Sequence, residues 1–286
     1  YQVRLTDNNV NVELTSTARA AMHRYTFPKS EFSRIIIDLD YSINGHGLPA
    51  NAHLRFVNDS TIEGVRRSVN TTGNIYFIAR FSKPFQYYGT YDNAYKSPES
   101  GAGIYPMKSG EQGDHIGAFV QYDTKAGEQV LVKVAVSYVS LDGARKNLAA
   151  EMPDWNFDQI HRQARQQWAQ VLEKMQVEGK SDADKVKFYT SVYRTILSQY
   201  IFQDVDGKYY GMDNGIHEAN DFNLYCSLLS WDTFRSMHPL LPLLAPDQVD
   251  DVLKSVEAKI RECGWVPGLH GYNRLSAGMI GDHIVP

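Results

Sequence analysis

The hydrophobic pattern changes period partway along the chain, and this change constrains the fold more than any single residue does. Up to about Ser140 the apolar residues sit in short runs. Val10-Asn11-Val12-Glu13-Leu14 alternates apolar with polar, as a strand with one buried face requires. Ile35-Ile36-Ile37, Ile75-Tyr76-Phe77-Ile78 and Val130-Leu131-Val132-Lys133-Val134-Ala135-Val136 are rich in β-branched and aromatic residues. Turn formers punctuate them at Asn44-Gly45, Asn58-Asp59, Thr72-Gly73-Asn74 and Asp92-Asn93. Short strands with turn chemistry between them predict an antiparallel β-sandwich, and a binding module fits that pattern as well as an enzyme does.

After Leu148 the apolar residues recur at helical spacing. Phe157, Ile160, Ala164, Trp168, Val171, Leu172 and Met175 form the stripe of one amphipathic helix. A second begins at Ser181, whose capping box is closed by Asp184 in place of Glu or Gln; its stripe is Val186, Tyr189, Val192, Tyr193, Ile196, Leu197 and Tyr200. A third follows Trp231. A fourth runs from Pro246, favourable in a first turn, through Val249, Val252, Leu253, Val256 and Ile260 to a cap at Gly264. The expected organisation is a β-sandwich over 1–140, a linker and first long helix over 141–178, and the beginning of an all-α domain over 179–286. Periodicity alone allows any helical bundle for the last of these.

Composition narrows the class of partner. A formal charge of -4, with basic residues scattered along the 286-residue chain, argues against a nucleic-acid surface. No apolar run approaches the roughly 20 residues of a membrane span. The chain opens at Tyr1-Gln2-Val3-Arg4 without Met or a signal-peptide pattern, so its native start is expected to lie elsewhere. Cys226 and Cys263 are too few for a disulfide scaffold or a four-cysteine zinc site; buried free thiols are expected, with pairing open to a secreted chain. Asn58-Asp59-Ser60 and Asn70-Thr71-Thr72 match glycosylation acceptors, which matter only in a eukaryotic secretory pathway.

Among the polar motifs, Asp204-Val205-Asp206-Gly207 lacks the third acidic ligand and the closing Glu of a calcium loop. A turn is expected there, with Gly207 at positive φ and the aspartates bonded to its backbone. His217, Glu218, Asp221 and Asp232 match no metal-ligand spacing and read as solvated loop polarity, so no metal site is expected within the sequence. His23 reads as a packing residue in a strand. Gly264 to His283 reads as an irregular Gly-rich loop whose polar residues are His270, Tyr272, Asn273, Arg274, Asp282 and His283.

The run Leu228-Leu229-Ser230-Trp231-Asp232-Thr233-Phe234-Arg235-Ser236-Met237-His238-Pro239-Leu240 is chemically the most specific. On a helix Asp232 and Arg235 share one face and can pair, leaving spare donors and acceptors for the hydroxyls of a sugar. Trp231 can stack on a pyranose ring or fill a core. A helix start with a structural ion pair satisfies the same spacing.

That run, from Ser230-Trp231-Asp232-Thr233-Phe234-Arg235 to His238-Pro239-Leu240, resembles the signature of the calcium-dependent exo-α-mannosidases of glycoside hydrolase family 92. Other blocks follow in the family's order: His23-Arg24-Tyr25-Thr26-Phe27-Pro28, Ile35-Ile36-Ile37-Asp38-Leu39, Gly143-Ala144-Arg145-Lys146-Asn147-Leu148, Phe202-Gln203-Asp204-Val205-Asp206-Gly207-Lys208-Tyr209, Gly211-Met212-Asp213 and Gly278-Met279-Ile280-Gly281-Asp282-His283. The resemblance implies a β-sandwich followed by the opening of an α/α toroid, and hydrolysis of terminal α-linked mannose, of α-1,2 type, with inversion. It implies mannose-containing glycans as partners, calcium as cofactor, and a periplasmic, cell-surface or secreted location in a bacterium. Asp232 and Arg235 would bind mannose hydroxyls, Trp231 would wall the pocket and His238 would support the helix end. His270, Arg274, Asp282 and His283 would belong to the pocket loop.

The pattern departs from the family in that loop. Leu269-His270 stands where a Trp-Glu pair is usual, and Arg274-Leu275-Ser276 where Asn-Glu-Thr is usual. The family's acid, base and calcium contacts fall in Glu-Gly, Gly-Asn-Glu-Pro and Gly-Asn-Asp-Asp blocks that do not occur before Pro286, so the chain reads as a fragment lacking both ends and its catalytic residues stay unassigned. The rivals are a non-catalytic carbohydrate-binding relative, and a glycosidase or phosphorylase of another specificity on the same plan.

Overall fold

The computed structural model describes residues 1–41, 49–67, 74–93, 103–179, 181–197, 199–225, 233–265, 269–271 and 274–276. The chain divides into two compact units, Tyr1–His161 and Arg162–Pro286.

The first unit holds twelve strands: β1 (Gln2–Leu5), β2 (Val10–Ser16), β3 (Ala20–Phe27), β4 (Ser30–Asp38), β5 (Ala52–Asn58), β6 (Thr61–Arg67), β7 (Asn74–Phe81), β8 (Tyr87–Asp92), β9 (Gly103–Pro106), β10 (Gly110–Gly113), β11 (Ile116–Thr124) and β12 (Glu128–Ser137). They form an eight-stranded sheet, β1-β2-β3-β12-β7-β6-β5-β10, and a four-stranded sheet, β4-β11-β8-β9. Each pairing is antiparallel. The two inner faces meet in one core, with Val12, Phe27, Leu54, Ile62 and Phe81 from the larger sheet and Ile35, Ile116, Ala118 and Val120 from the smaller. The alternation read at Val10–Leu14 is present, with Val10 and Val12 buried on either side of exposed Asn11, and the Ile35–Ile37 run alternates too: Ile35 is buried, whereas Ile36 faces outward and is 62% exposed.

At Gly64 the neighbouring strands leave no room for a side chain. A Cβ there would lie 2.3 Å from the His53 carbonyl oxygen and 2.8 Å from the Phe77 ring. The obstacle on one side is backbone, which yields only if the strands part. Gly64→Ala is expected to cost about 2 kcal/mol, within the range for overpacking, and thermal unfolding of the variant checks it; an unchanged melting temperature would refute the close approach.

Ser140 caps a helix that the sequence reading assigned to the linker, α1 (Leu141–Glu151), by accepting the Gly143 N–H at 3.0 Å. Its buried face is Gly143, Ala144, Asn147 and Leu148, set against Met22, Ile78 and Ala135 on the outside of the larger sheet. A face with one Leu, one Ala, a Gly and an Asn carries too little hydrophobic contrast for periodicity to show it. Asn147 donates to the Val136 carbonyl at 2.8 Å, so this buried amide ties the helix to β12. At the other end Lys133, from β12, donates to the carbonyls of Met152 at 2.9 Å and Pro153 at 3.3 Å, with its ammonium 4.2 Å from the Trp155 ring centroid. A cation there satisfies carbonyls that the helix end leaves unpaired.

The next helix, α2 (Phe157–Leu172), crosses the division between the units. Phe157 and Ile160 join the cluster beneath α1. Arg24 lies 4.2 Å over the Phe157 ring and pairs with Glu13 at 2.7 Å and Asp158 at 3.0 Å.

In the second unit α3 (Asp182–Leu197) begins where the capping signal placed it, with Ser181 Oγ accepting the Asp184 N–H at 3.2 Å. Val192 and Ile196 pack with Trp168, Val171, Leu172, Met175 and Phe188. The helix expected after Trp231 comes as a 3₁₀ turn, Thr233–Arg235, followed by α4 (Met237–Leu244), which contains Pro239 and Pro242. The fourth, α5 (Pro246–Cys263), ends at Gly264 with φ 82°, whose N–H bonds the Ile260 carbonyl at 2.8 Å, as the cap signal required. Val186, Leu197 and Leu253, which the stripes place inward, are instead exposed. Two small hairpins complete the unit, β13 (Lys208–Tyr210) with β14 (Ile216–Glu218) and β15 (Leu269–Gly271) with β16 (Arg274–Ser276). The second of these lies in the stretch read as irregular loop. Among the described residues no helix is long and apolar enough to cross a membrane.

Candidate functional site

Of the residues assigned to a sugar pocket, Arg235 and His238 come at the start of α4, and His270 and Arg274 follow the end of α5. Arg235 closes the 3₁₀ turn that precedes α4, with its side chain exposed, and His238 is half-buried in the first turn of α4. Beyond the cap at Gly264, Trp265 is exposed and the β15–β16 hairpin follows, with His270 opposite Leu275 and Gly271 opposite Arg274. Trp231, Asp232, Asp282 and His283 lie outside the described residues, as does Cys226. Cys263 is unpaired and half-buried, not buried as expected, and its thiol donates to the Trp265 carbonyl at 3.1 Å.

The approach to Arg235 is an irregular segment knotted by its own backbone. Ile201 bridges Tyr225, and Phe202 N–H bonds the Leu224 carbonyl at 2.8 Å. Buried Gln203 accepts from Leu224 N–H and donates to the Ala219 and Phe222 carbonyls, each at 3.4 Å. Gly207 has φ 82° and donates to the Asp204 carbonyl at 2.9 Å, so the expected turn is present. A Cβ on Gly207 would sit 2.8 Å from the Ala219 carbonyl oxygen.

The β13–β14 hairpin that follows is polar but not merely solvated. Asp213 accepts from Gly215 N–H at 2.8 Å and pairs with His217 Nε2 at 2.9 Å. The imidazole and then the turn N–H hold the Asp213 carboxyl below the usual carboxylate range. The Tyr209 ring stacks on His217, and its hydroxyl donates to Glu262 Oε1 at 2.6 Å. Burial first, and the Glu262 carboxylate second, push the Tyr209 phenol up, which keeps it a donor at any ordinary pH. Asp206, Asp221 and Asp251 border a polar recess beside this segment. Asp221 faces Lys254 at 3.6 Å and Asp251 accepts from Asn223 at 2.8 Å. Among the described residues no three His, Cys, Asp or Glu side chains come together as a metal site.

A second surface, in the first unit, escaped the sequence reading. The outer face of the four-stranded sheet is an apolar groove lined by Ile36, Tyr87, Tyr91, Ile104, Met107 and Phe119, with Arg34 and Gln121 bonded to each other at 2.8 Å along it. Two glycines let the rings lie down on the sheet. A Cβ on Gly89 would meet the Phe119 ring at 2.7 Å, and one on Gly117 the Tyr91 ring at 2.1 Å. The signal was available: Ile36, Tyr87 and Phe119 fall on the outward phase of strands whose inward phase forms the core.

Comparison with known proteins agrees across both units. The model of the glycosyl hydrolase family 92 N-terminal domain matches residues 1–137, and that of the family's catalytic domain matches residues 143–286. The solved structure of the family GH92 α-mannosidase BT3965 from Bacteroides thetaiotaomicron is 32% identical, with TM-score 0.88, over 100% of this chain and 38% of its own. The same mannosidase in complex with mannoimidazole matches at 31% identity and TM-score 0.84, over 96% of this chain and 36% of its own. The family GH92 inverting mannosidase BT2199 from Bacteroides thetaiotaomicron VPI-5482 matches at 26% identity and TM-score 0.83, over 99% of this chain and 37% of its own. No curated protein sequence matches. The sheet-rich first part followed by helices is the arrangement of these relatives, and the chain spans about 38% of the length of BT3965.

Proposed function

The chain belongs to glycosyl hydrolase family 92, and from that premise we propose that the complete protein hydrolyses terminal α-linked mannose, of α-1,2 type, from glycans with inversion of configuration. The observation that carries this is the likeness, over the whole of the present chain, to the α-mannosidase BT3965. In this reading Asp232 and Arg235 bind hydroxyls of the terminal mannose, Trp231 walls the pocket, and the segment with His270, Arg274, Asp282 and His283 completes it. Arg235 suits the role, since its planar fork offers paired donors to vicinal oxygens. Inversion needs an acid and a base about 6.5–9.5 Å apart with water between them. Both are assigned to parts of the complete protein outside this chain.

Calcium is proposed for the complete enzyme on family grounds. Among the described residues no three ligating side chains come together that could hold it. Export to a periplasm or cell surface is proposed on the same grounds.

The deciding experiment is mannose release from α-1,2-linked mannobiose by the complete protein, with calcium and then with a chelator, following the anomer formed by NMR. Calcium-dependent release of β-mannose is expected. Release of α-mannose would remove inversion, and no release would remove the activity.

The aromatic groove favours one alternative, glycan binding without hydrolysis, because sugar C–H faces pack on flat aromatic rings. Tyr87 is 54% exposed there. If the groove binds mannan, Tyr87→Ala should weaken retention on a mannan gel about fivefold, the value of one aromatic contact of about 1 kcal/mol. Unchanged retention would dismiss this alternative.

A further inference from the structure

One face of α5 carries polar residues at Asp251, Ser255, Lys259 and Glu262, a spacing that places them in a single row along the helix. Such a row normally faces water. Here Ser255 and Lys259 have no exposed surface at all, and every member holds the segment that leads to the run Trp231–Arg235. Asp251 accepts from the Asn223 amide at 2.8 Å. Ser255 Oγ accepts the Tyr225 N–H at 3.0 Å. Lys259 Nζ donates to the Tyr225 carbonyl at 2.7 Å. Glu262 takes the Tyr209 hydroxyl at 2.6 Å on one oxygen and the Met212 N–H at 2.8 Å on the other. Both backbone groups of Tyr225 are therefore gripped by adjacent turns of one helix.

Two features make this more than packing. An ammonium without exposed surface costs several kcal/mol to bury, and an apolar side chain of similar volume would avoid that. Glu262, near the C-terminus of α5, places negative charge where the helix dipole disfavours it. Neither choice is explained by the stability of α5 alone. Both make sense if the segment must be held at a fixed place. The far flank is tied to the same helix, because α4, directly after Arg235, packs through Leu241 on Val252 and Val256.

We propose that Lys259 is a positioning residue: by fixing the Tyr225 backbone on α5 it anchors the N-terminal flank of the run that carries Arg235. The inference rests on the sugar-binding role proposed above for that run. Lys259→Met and, as a milder cut at the same place, Ser255→Ala would be made in the complete protein and compared with wild type in calcium-containing buffer. Lys259→Met should fold, raise KM for mannobiose about 30-fold, weaken mannoimidazole binding to a similar extent and lower kcat by a smaller factor. Ser255→Ala should do the same more weakly, and both should speed amide exchange in a peptide covering residues 224–236. A purely structural lysine would reduce the folded fraction and so kcat, leaving KM unmoved; that result overturns the proposal. Should Lys259→Met fail to fold, an unchanged KM and exchange rate in Ser255→Ala overturns it instead. If wild type releases no mannose, the proposed function falls, and the exchange measurement still decides the role of Lys259.

Discussion

Asp232→Ala in the complete protein is expected to lower kcat/KM for a terminal α-mannoside about 1000-fold while moving the melting temperature by less than about 3 °C. The size follows from the bonds at stake. A carboxylate accepting two sugar hydroxyls makes two charge-assisted hydrogen bonds, each worth about 1.5–3 kcal/mol net. Together they span roughly 100- to 10000-fold at 1.4 kcal/mol per tenfold. The ring distorts on the way to an oxocarbenium-like transition state, so part of that energy is realised only there and the loss should appear in kcat as well as KM. Asp232→Asn keeps one acceptor without the charge and should retain more activity. The competing account, a structural ion pair with Arg235, makes a different forecast. Arg235 is exposed, and an exposed pair contributes about 0–1 kcal/mol, so its loss would leave kinetics almost untouched. Near-normal turnover in Asp232→Ala would therefore overturn the sugar-binding role.

The sandwich was legible because β-strands with one buried face write their period into the sequence, and β2, β4, β7 and β12 all fall on the runs identified. Helices α2, α3 and α5 were legible for the same reason, with Ser181 and Gly264 supplying their ends. What stayed hidden was structure whose stabilising groups are polar or small. Helix α1 buries Asn147 and Gly143, and the hairpin β15–β16 is too short to show a period. The polar row on α5 leaves no mark in the sequence, because a helix writes only residue type and Lys259 reads as a surface residue until its acceptor at Tyr225 is seen. Blocks shared with the family divide by cause. In Gly143–Leu148 each polar side chain has a structural partner: Arg145 has Glu63, Lys146 has Asp142 and Asn147 has the Val136 carbonyl. The sugar-binding assignment of Trp231–Arg235 came from resemblance, since spacing left two readings open.

Glu63→Ala is expected to destabilise the sandwich by about 3 kcal/mol at neutral pH, visible as roughly 100-fold faster amide exchange in β5, β6 and β7. Glu63 is 1% exposed in a central strand of the larger sheet, with Arg55 at 2.6 Å on one oxygen and Arg145 at 2.7 Å on the other. One carboxylate thus joins β5, β6 and α1. Breaking a buried pair costs about 3–5 kcal/mol when the survivor is stranded. The survivors here are the arginines, 55% and 44% exposed, which can turn to water, so the lower end applies. Burial alone would push the Glu63 carboxyl up, but Arg55 and Arg145 together hold it below the usual carboxylate range. A carboxyl depressed by folding contributes stability that is complete above its unfolded pKa, near 4.3, and is lost as pH falls through the folded value. The gap between wild type and Glu63→Ala should therefore be constant from pH 7 to about 5 and narrow below pH 4. Glu63→Gln, which keeps the shape and one acceptor, should cost less at pH 7 and show the same narrowing, because the pH dependence belongs to the wild-type carboxyl. If Glu63→Ala exchanges as slowly as wild type at pH 7, the clamp contributes nothing; if the gap persists undiminished in acid, the loss comes from the cavity and not from the charge.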